Sequence, residues 1–223
     1  MPNDFVLCDK FSKTLQSDVE KIFEKGYNDI NSEVVDSVDI TKCDRRVYYK
    51  LIGVNTFCDK KRRSHHSHIV NKWEGFLLQA KTFELLDKNL IVADQNHNIT
   101  SRIDIVGKFD DIPVALMIRE VDKDTFQNNS VKRSHVVELM TQMWLVEVND
   151  GFLVYEDIED KKINMFHILP NVSVLNAVKQ KLLALGKCKM AGTLPERKYE
   201  TSDSKECQEC CFAEKCWRDI GDG

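Results

Sequence analysis

Four of the eight cysteines in this chain fall within ten residues near its C-terminus, in the segment Cys207-Gln-Glu-Cys210-Cys211-Phe-Ala-Glu-Lys-Cys216. Thiolates this close together converge on one centre without closing a long loop, so in a reducing compartment the segment reads as a metal clip. Adjacent Cys210 and Cys211 point their side chains apart, which makes one small tetrahedral site from these four awkward. The better set is Cys207, Cys210 and Cys216, spaced C-x2-C-x5-C, with a fourth thiolate from a distant part of the chain. Cys43 is the candidate. Zinc and an iron-sulfur cluster are both open on this ground, because each takes four cysteine ligands.

The clip presupposes a reducing environment, and the other end of the chain agrees with one. The N-terminal MPNDFVLCDK lacks the basic and apolar regions of a secretory signal, so a cytoplasmic protein without disulfides is expected. The longest apolar runs, such as Val114 to Ile118, are far too short to span a bilayer. With 32 Lys and Arg against 36 Asp and Glu, the net charge of -4 excludes a protein that coats phosphate wholesale, although Lys60, Lys61, Arg62 and Arg63 form a local basic stretch. The length of 223 residues accommodates one sizeable core plus an appendage. The expected division is a helical segment over 1–40, a core over 41–190 and the cysteine-rich tail over 191–223.

Periodicity predicts helices over 10–26, 41–52, 64–86, 135–148 and 172–185, the last ending at Gly186. Strands are predicted over 90–93, 99–106, 113–121, 152–156 and 163–168, the first three as a meander. Asp104 falls in the second of these strands and Glu120 near the end of the third. Neighbouring strands are expected to bring the two carboxylates together at one edge. Strand alternation puts Glu120 and Asp122 on one face and Arg119, Val121 and Lys123 on the other. Three carboxylates then converge, which suits a hard divalent cation; a solvated strand end is the plainer reading of the same residues.

Taken together, Cys43 before an Arg45-Arg46-x-Tyr48-Tyr49 helix, the Asp104 strand, the Glu120 strand, Gly151-Phe-Leu-Val-Tyr155, Leu194-Pro195 and the closing C-x2-C-x5-C occur in a recognisable order. The pattern, over about residues 38 to 218, resembles the RecB-like PD-(D/E)XK exonucleases that carry a C-terminal iron-sulfur cluster, of the CRISPR-associated, phage and AddB nuclease-domain type. The resemblance implies an α/β fold, a restriction-endonuclease-like mixed sheet flanked by helices, with a cysteine-rich iron-sulfur segment at its end. It implies a structural 4Fe-4S cluster on Cys43, Cys207, Cys210 and Cys216. Active relatives cut DNA with Mg2+ or Mn2+ held by a helix histidine, a strand aspartate and a glutamate, helped by a lysine two residues after the glutamate.

The match departs from the family at the reacting centre. Val70 stands at the histidine position, Glu120-Val121-Asp122 replaces Glu-x-Lys, and Glu138 with Gln142 replaces Gln-x-x-x-Tyr. An anion at Asp122 repels the hydroxide that a lysine would steady. His66, one turn before Val70, is the nearest substitute ligand, and Lys108 or Lys132 the nearest substitute cations. The expectation is therefore a DNA-binding protein with an impaired nuclease centre. Arg45, Arg46, Lys61, Arg62 and Arg63 contact phosphates, and Asp104, Glu120 and Asp122 hold a cation without efficient hydrolysis. Its partners are single-stranded DNA or DNA ends and proteins of a DNA-processing complex, with no membrane. The rivals are an active single-strand exonuclease using Asp104, Glu120, His66 and a displaced lysine, and a zinc-stabilised protein-interaction module.

Overall fold

The computed structural model describes residues 34–54, 60–128 and 130–219, and the side chains of 60–68 fall outside that description. The helix expected over 10–26 lies outside the described residues. The elements are β1 (Val35–Asp36), α1 (Asp44–Leu51), α2 (Lys60–Leu77), β2 (Phe83–Asp94), β3 (Ile99–Phe109), β4 (Ile112–Val121), α3 (Lys123–Gln127), α4 (Arg133–Leu145), β5 (Asp150–Asp157), β6 (Ile163–Ile168), α5 (Val172–Ala191), α6 (Lys205–Gln208) and α7 (Ala213–Arg218). No helix among the described residues is long and apolar enough to cross a membrane.

The six strands form one mixed sheet. β2, β3 and β4 are a meander of antiparallel pairs, as the turn clusters predict. The chain then crosses over through α4, and β5 pairs parallel with β4 while β6 closes the sheet antiparallel to β5. Short β1 lies parallel to the start of β3, pairing Val35 with Ile99.

Strand alternation sends residues to two cores. Val106, Ala115, Met117, Val121, Leu153 and Tyr155 pack under Leu139, Met140 and Met143 of α4. Ile105, Val114, Leu116, Ile118 and Val154 pack under Ile69, Val70 and Trp73 of α2. Fully burying a side chain of this size stabilises by about 1.5–3 kcal/mol. The α4 packing is close: a Cβ built on Gly151 would lie 2.5 Å from the Met143 sulfur. A third core joins β1, α1 and α5 to the tail, with Val35, Tyr49, Leu51, Leu182, Leu185 and Phe212 at its centre.

Two expected boundaries are corrected. The helix over 64–86 stops at Leu77, and Phe83 begins a strand, because Phe83 and Leu85 alternate onto the α2 core rather than lying along a helical stripe. The final long helix runs through Gly186 to Ala191, since the apolar series Val178, Leu182, Leu185 continues to Cys188. Its stop is Gly192, left-handed at φ 65°, where glycine carries no Cβ penalty.

Candidate functional site

The register of the meander decides what meets at the sheet. Ile105 lies opposite Leu116 and Val106 opposite Ala115, so Asp104 shares the α4 face with Arg119. Asp104 is buried, and its Oδ2 accepts the Ile118 backbone N–H at 2.8 Å and Arg119 Nη1 at 3.0 Å. Arg119 Nη2 donates to Oε1 of buried Glu138 on α4 at 2.8 Å, and Nη1 also donates to the Ile118 carbonyl at 2.7 Å. One guanidinium thus sits between two buried carboxylates. Burial works against its charge, but Glu138 and Asp104 outweigh burial and hold its pKa above the ordinary value. Burial pushes the Glu138 carboxyl up, and Arg119 opposes that shift.

Beside this triad, Tyr155 on β5 is fully buried; its hydroxyl accepts the Lys132 backbone N–H at 3.0 Å and lies 2.8 Å from His135 Nδ1. Burial, then the positive charges of Arg119, Lys132 and Lys42, lower the His135 pKa to about 4. His135 is therefore neutral at neutral pH, and the tyrosine hydroxyl is placed to donate to it. Gln142, one turn beyond Glu138, donates from Nε2 to the Arg102 carbonyl at 3.2 Å.

The carboxylate cluster expected from the sequence does not assemble. Glu120 pairs in register with Glu156 of β5, on the α2 face of the sheet, opposite to Asp104. There Lys161 Nζ reaches Glu120 at 3.3 Å. Buried Glu156 takes Lys72 at 2.6 Å and the Trp73 indole N–H at 3.1 Å. Asp122 has left the strand and caps α3, accepting the Thr125 N–H at 2.8 Å, which lowers its pKa. Lys108 turns to Glu84 at the surface, 3.2 Å away, and the side chain of His66 lies outside the described residues. A divalent cation shared by Asp104 and Glu120 does not fit this arrangement, since the sheet itself stands between them.

At the tail, one recess is lined by Cys43, Cys207, Cys210 and Cys216 together with Arg46 and Trp217. Cys43 occupies the N-cap position of α1 and its N–H donates to Glu206 Oε1 at 3.2 Å. Burial raises the Cys43 thiol pKa; Glu206, Cys216 and Cys207 add to that rise, while a backbone hydrogen bond from Arg46 opposes it. Burial raises the Cys210 thiol too, and Arg46 draws it back. Among the described residues, no three His, Cys, Asp or Glu side chains converge tightly enough to hold a single metal ion. The indole N–H of Trp217 is buried without a hydrogen-bond partner among the described residues, a state that costs about 1–3 kcal/mol when nothing accepts it. Four thiols beside a guanidinium are a donor set that suits a thiolate-held metal group.

The arginines expected on phosphate are used inside the protein. Arg45 is buried, and donates to the carbonyls of Pro195 at 2.8 Å, Cys216 at 3.1 Å and Asp219 at 3.0 Å. Arg197 reaches the Cys216 and Asp219 carbonyls as well, each at 3.2 Å from Nη2. Tyr49 donates to Asp219 at 3.0 Å and stacks on Phe212. Arg46 pairs with buried Asp39 at 2.9 Å. Arg45 faces inward because the helix that carries it is roofed by the tail. Lys61, Arg62 and Arg63 lie on the first turns of α2, with side chains outside the described residues; Lys132 and Arg133 are exposed at the start of α4.

No family model and no curated protein matches the sequence. Solved structures do match the fold. An alkaline exonuclease from Laribacter hongkongensis superposes with a TM-score of 0.56 at 12% identity, over 78% of this chain and 93% of that one. The same exonuclease in complex with dAMP gives 0.56 at 9% identity, over 72% and 90%. A phage-related exonuclease from Haemophilus somnus gives 0.52 at 12% identity, over 73% and 96%. The mixed sheet flanked by helices is the fold that this chain shares with these exonucleases.

Proposed function

We propose that this chain is a DNA-binding protein on an exonuclease fold whose hydrolytic centre has been closed. The observation that carries the reading is Arg119, held between Asp104 and Glu138 by charge-assisted hydrogen bonds. Metal-assisted hydrolysis needs carboxylates gathered on one cation with room for water. Here the strand carboxylate is bound to an internal cation, and the second expected ligand faces the other side of the sheet.

DNA as the partner rests on the fold and on its exonuclease neighbours, one of them solved with dAMP. Phosphate contacts are assigned to Lys61, Arg62 and Arg63 on α2 and to Lys132 and Arg133 at the head of α4, with no base-specific contact required. The tail recess is assigned to a 4Fe-4S cluster on Cys43, Cys207, Cys210 and Cys216, a covalent tie between α1 and the tail. The support for this assignment is that Cys43, from the head of α1, lines the same recess as Cys207, Cys210 and Cys216 of the tail. Further proteins of a DNA-processing complex in the cytoplasm complete the reading.

The test is incubation of anaerobically purified protein with end-labelled single-stranded DNA and Mn2+, with Asp104→Asn alongside. Salt-sensitive binding without cutting is the expected result. Cutting that disappears in Asp104→Asn would overturn it in favour of an active exonuclease.

A further inference from the structure

We propose that Trp217 is a hydrogen-bond donor to the sulfur-held group of the tail recess and sets its reduction potential. The proposal rests on the assignment of a four-iron cluster to this recess and names the residue that governs its redox poise.

Three observations meet at Trp217. Trp217 lines the recess together with the four cysteines. Its indole N–H is buried with no acceptor among the described residues. Its ring is also held in place, because the Arg197 guanidinium lies over it, 4.7 Å from the centroid, while Arg197 is anchored on the Cys216 and Asp219 carbonyls. A rigid donor without a protein acceptor, at the wall of a thiol-lined recess, lacks only the acceptor that sulfide or thiolate sulfur provides. Indole is a donor only, so it cannot be satisfied by accepting from a neighbour.

Hydrogen bonds to cluster sulfurs and nearby charge are among the levers that set a cluster's potential. Reduction adds an electron to an already negative group. An N–H aimed at its sulfur stabilises the reduced form more than the oxidised one and raises the potential. Arg46, which also lines the recess, acts in the same direction through its charge, and Asp39 partly offsets it.

The experiment uses the full chain, purified without oxygen, with iron and sulfide assayed before a spectroelectrochemical titration of wild type and Trp217→Phe. Phenylalanine keeps a ring for Arg197 to cover and removes the donor. A potential lowered in Trp217→Phe, with cluster content unchanged, is the expected result. The anticipated size is about tenfold in the reduced-to-oxidised equilibrium, or 59 mV for a one-electron couple. Resonance Raman of wild type in H2O and D2O gives a second readout that requires no variant to fold: an Fe–S stretching mode that shifts on exchange reports the N–H to sulfur bond. A loaded cluster with an unchanged potential and no isotope shift overturns the role of Trp217 while the cluster assignment stands. Protein free of iron and sulfide, or loaded with zinc, overturns both.

Discussion

Arg119 on β4 and Glu138 on α4 meet at 2.8 Å, so the crossover helix is fastened to the sheet by an ion pair in addition to its apolar packing. The same guanidinium reaches Asp104 on β3 at 3.0 Å, and one side chain therefore links three elements.

That link is asymmetric in its response to mutation. Arg119→Met leaves two carboxylates buried without their cation, a change expected to cost about 3–5 kcal/mol. Replacing all three groups with apolar residues of similar size should cost much less. Urea denaturation of the single and triple variants measures both.

His135 confers an acid sensitivity. Its folded pKa is about 4 against an ordinary 6.5, so between those values the unfolded chain binds a proton that the folded one excludes. The stability tied to its neutral form is complete above about pH 6.5 and is lost as pH falls toward 4. Glu138, with a raised pKa, contributes in the opposite sense, but equally in wild type and in His135→Asn. The expected outcome is that the variant loses less stability than wild type between pH 6.5 and 4, followed by thermal or urea unfolding at each pH.

The basic side chains separate by their effect on the salt dependence of DNA binding. Each phosphate contact contributes roughly 0.7 to the slope on a single strand, so Lys61→Gln, Arg62→Gln and Arg63→Gln together should lower it by about 2. Arg46→Gln should leave the slope unchanged, because its guanidinium is paired with Asp39. Fluorescence anisotropy across a salt series distinguishes them.

Gly151→Ala tests the close approach of α4 to β5. The new methyl would lie 2.5 Å from the Met143 sulfur and 3.2 Å from Leu139, so the buried Met143 side chain, or α4 with it, must shift. Overpacking of this kind is expected to cost about 1–3 kcal/mol, read by chemical denaturation.

Most strands were legible from alternation bounded by turn residues, and the C-terminal spacing singled out Cys207, Cys210 and Cys216, which line one recess with the distant candidate Cys43. The start of β2 was not, because Phe83, Leu85 and Leu86 satisfy a helical stripe as readily as a strand. The face of Asp104 depended on a finer detail. Asp110 and Asp111 form a two-residue hairpin turn, both at positive φ, which pairs Phe109 with Ile112 and fixes the register. That register puts Asp104 with Arg119 and sends Glu120 to the other side; a shift of one residue would have reversed both. The sequence marks the spot only as a cluster of turn formers, without the Asn-Gly signal that would have specified it. Arg45 was read as a phosphate contact because local sequence says nothing of the tail that covers it.

The contacts of Arg45 join residues 150 to 174 positions apart in the chain. Contacts of such range bring no reward until almost the whole polypeptide is available, and they form slowly compared with the local pairings of the β2–β4 meander. During synthesis the sheet and α4 can therefore assemble while α1 still lacks its roof. Until Phe212 arrives, Tyr49 has no ring to stack upon, and the recess has only the Cys43 wall. The tail is the closing step of folding, and a chain cut short before residue 195 would display an unsatisfied arginine and an uncovered aromatic surface as the mark of its incompleteness.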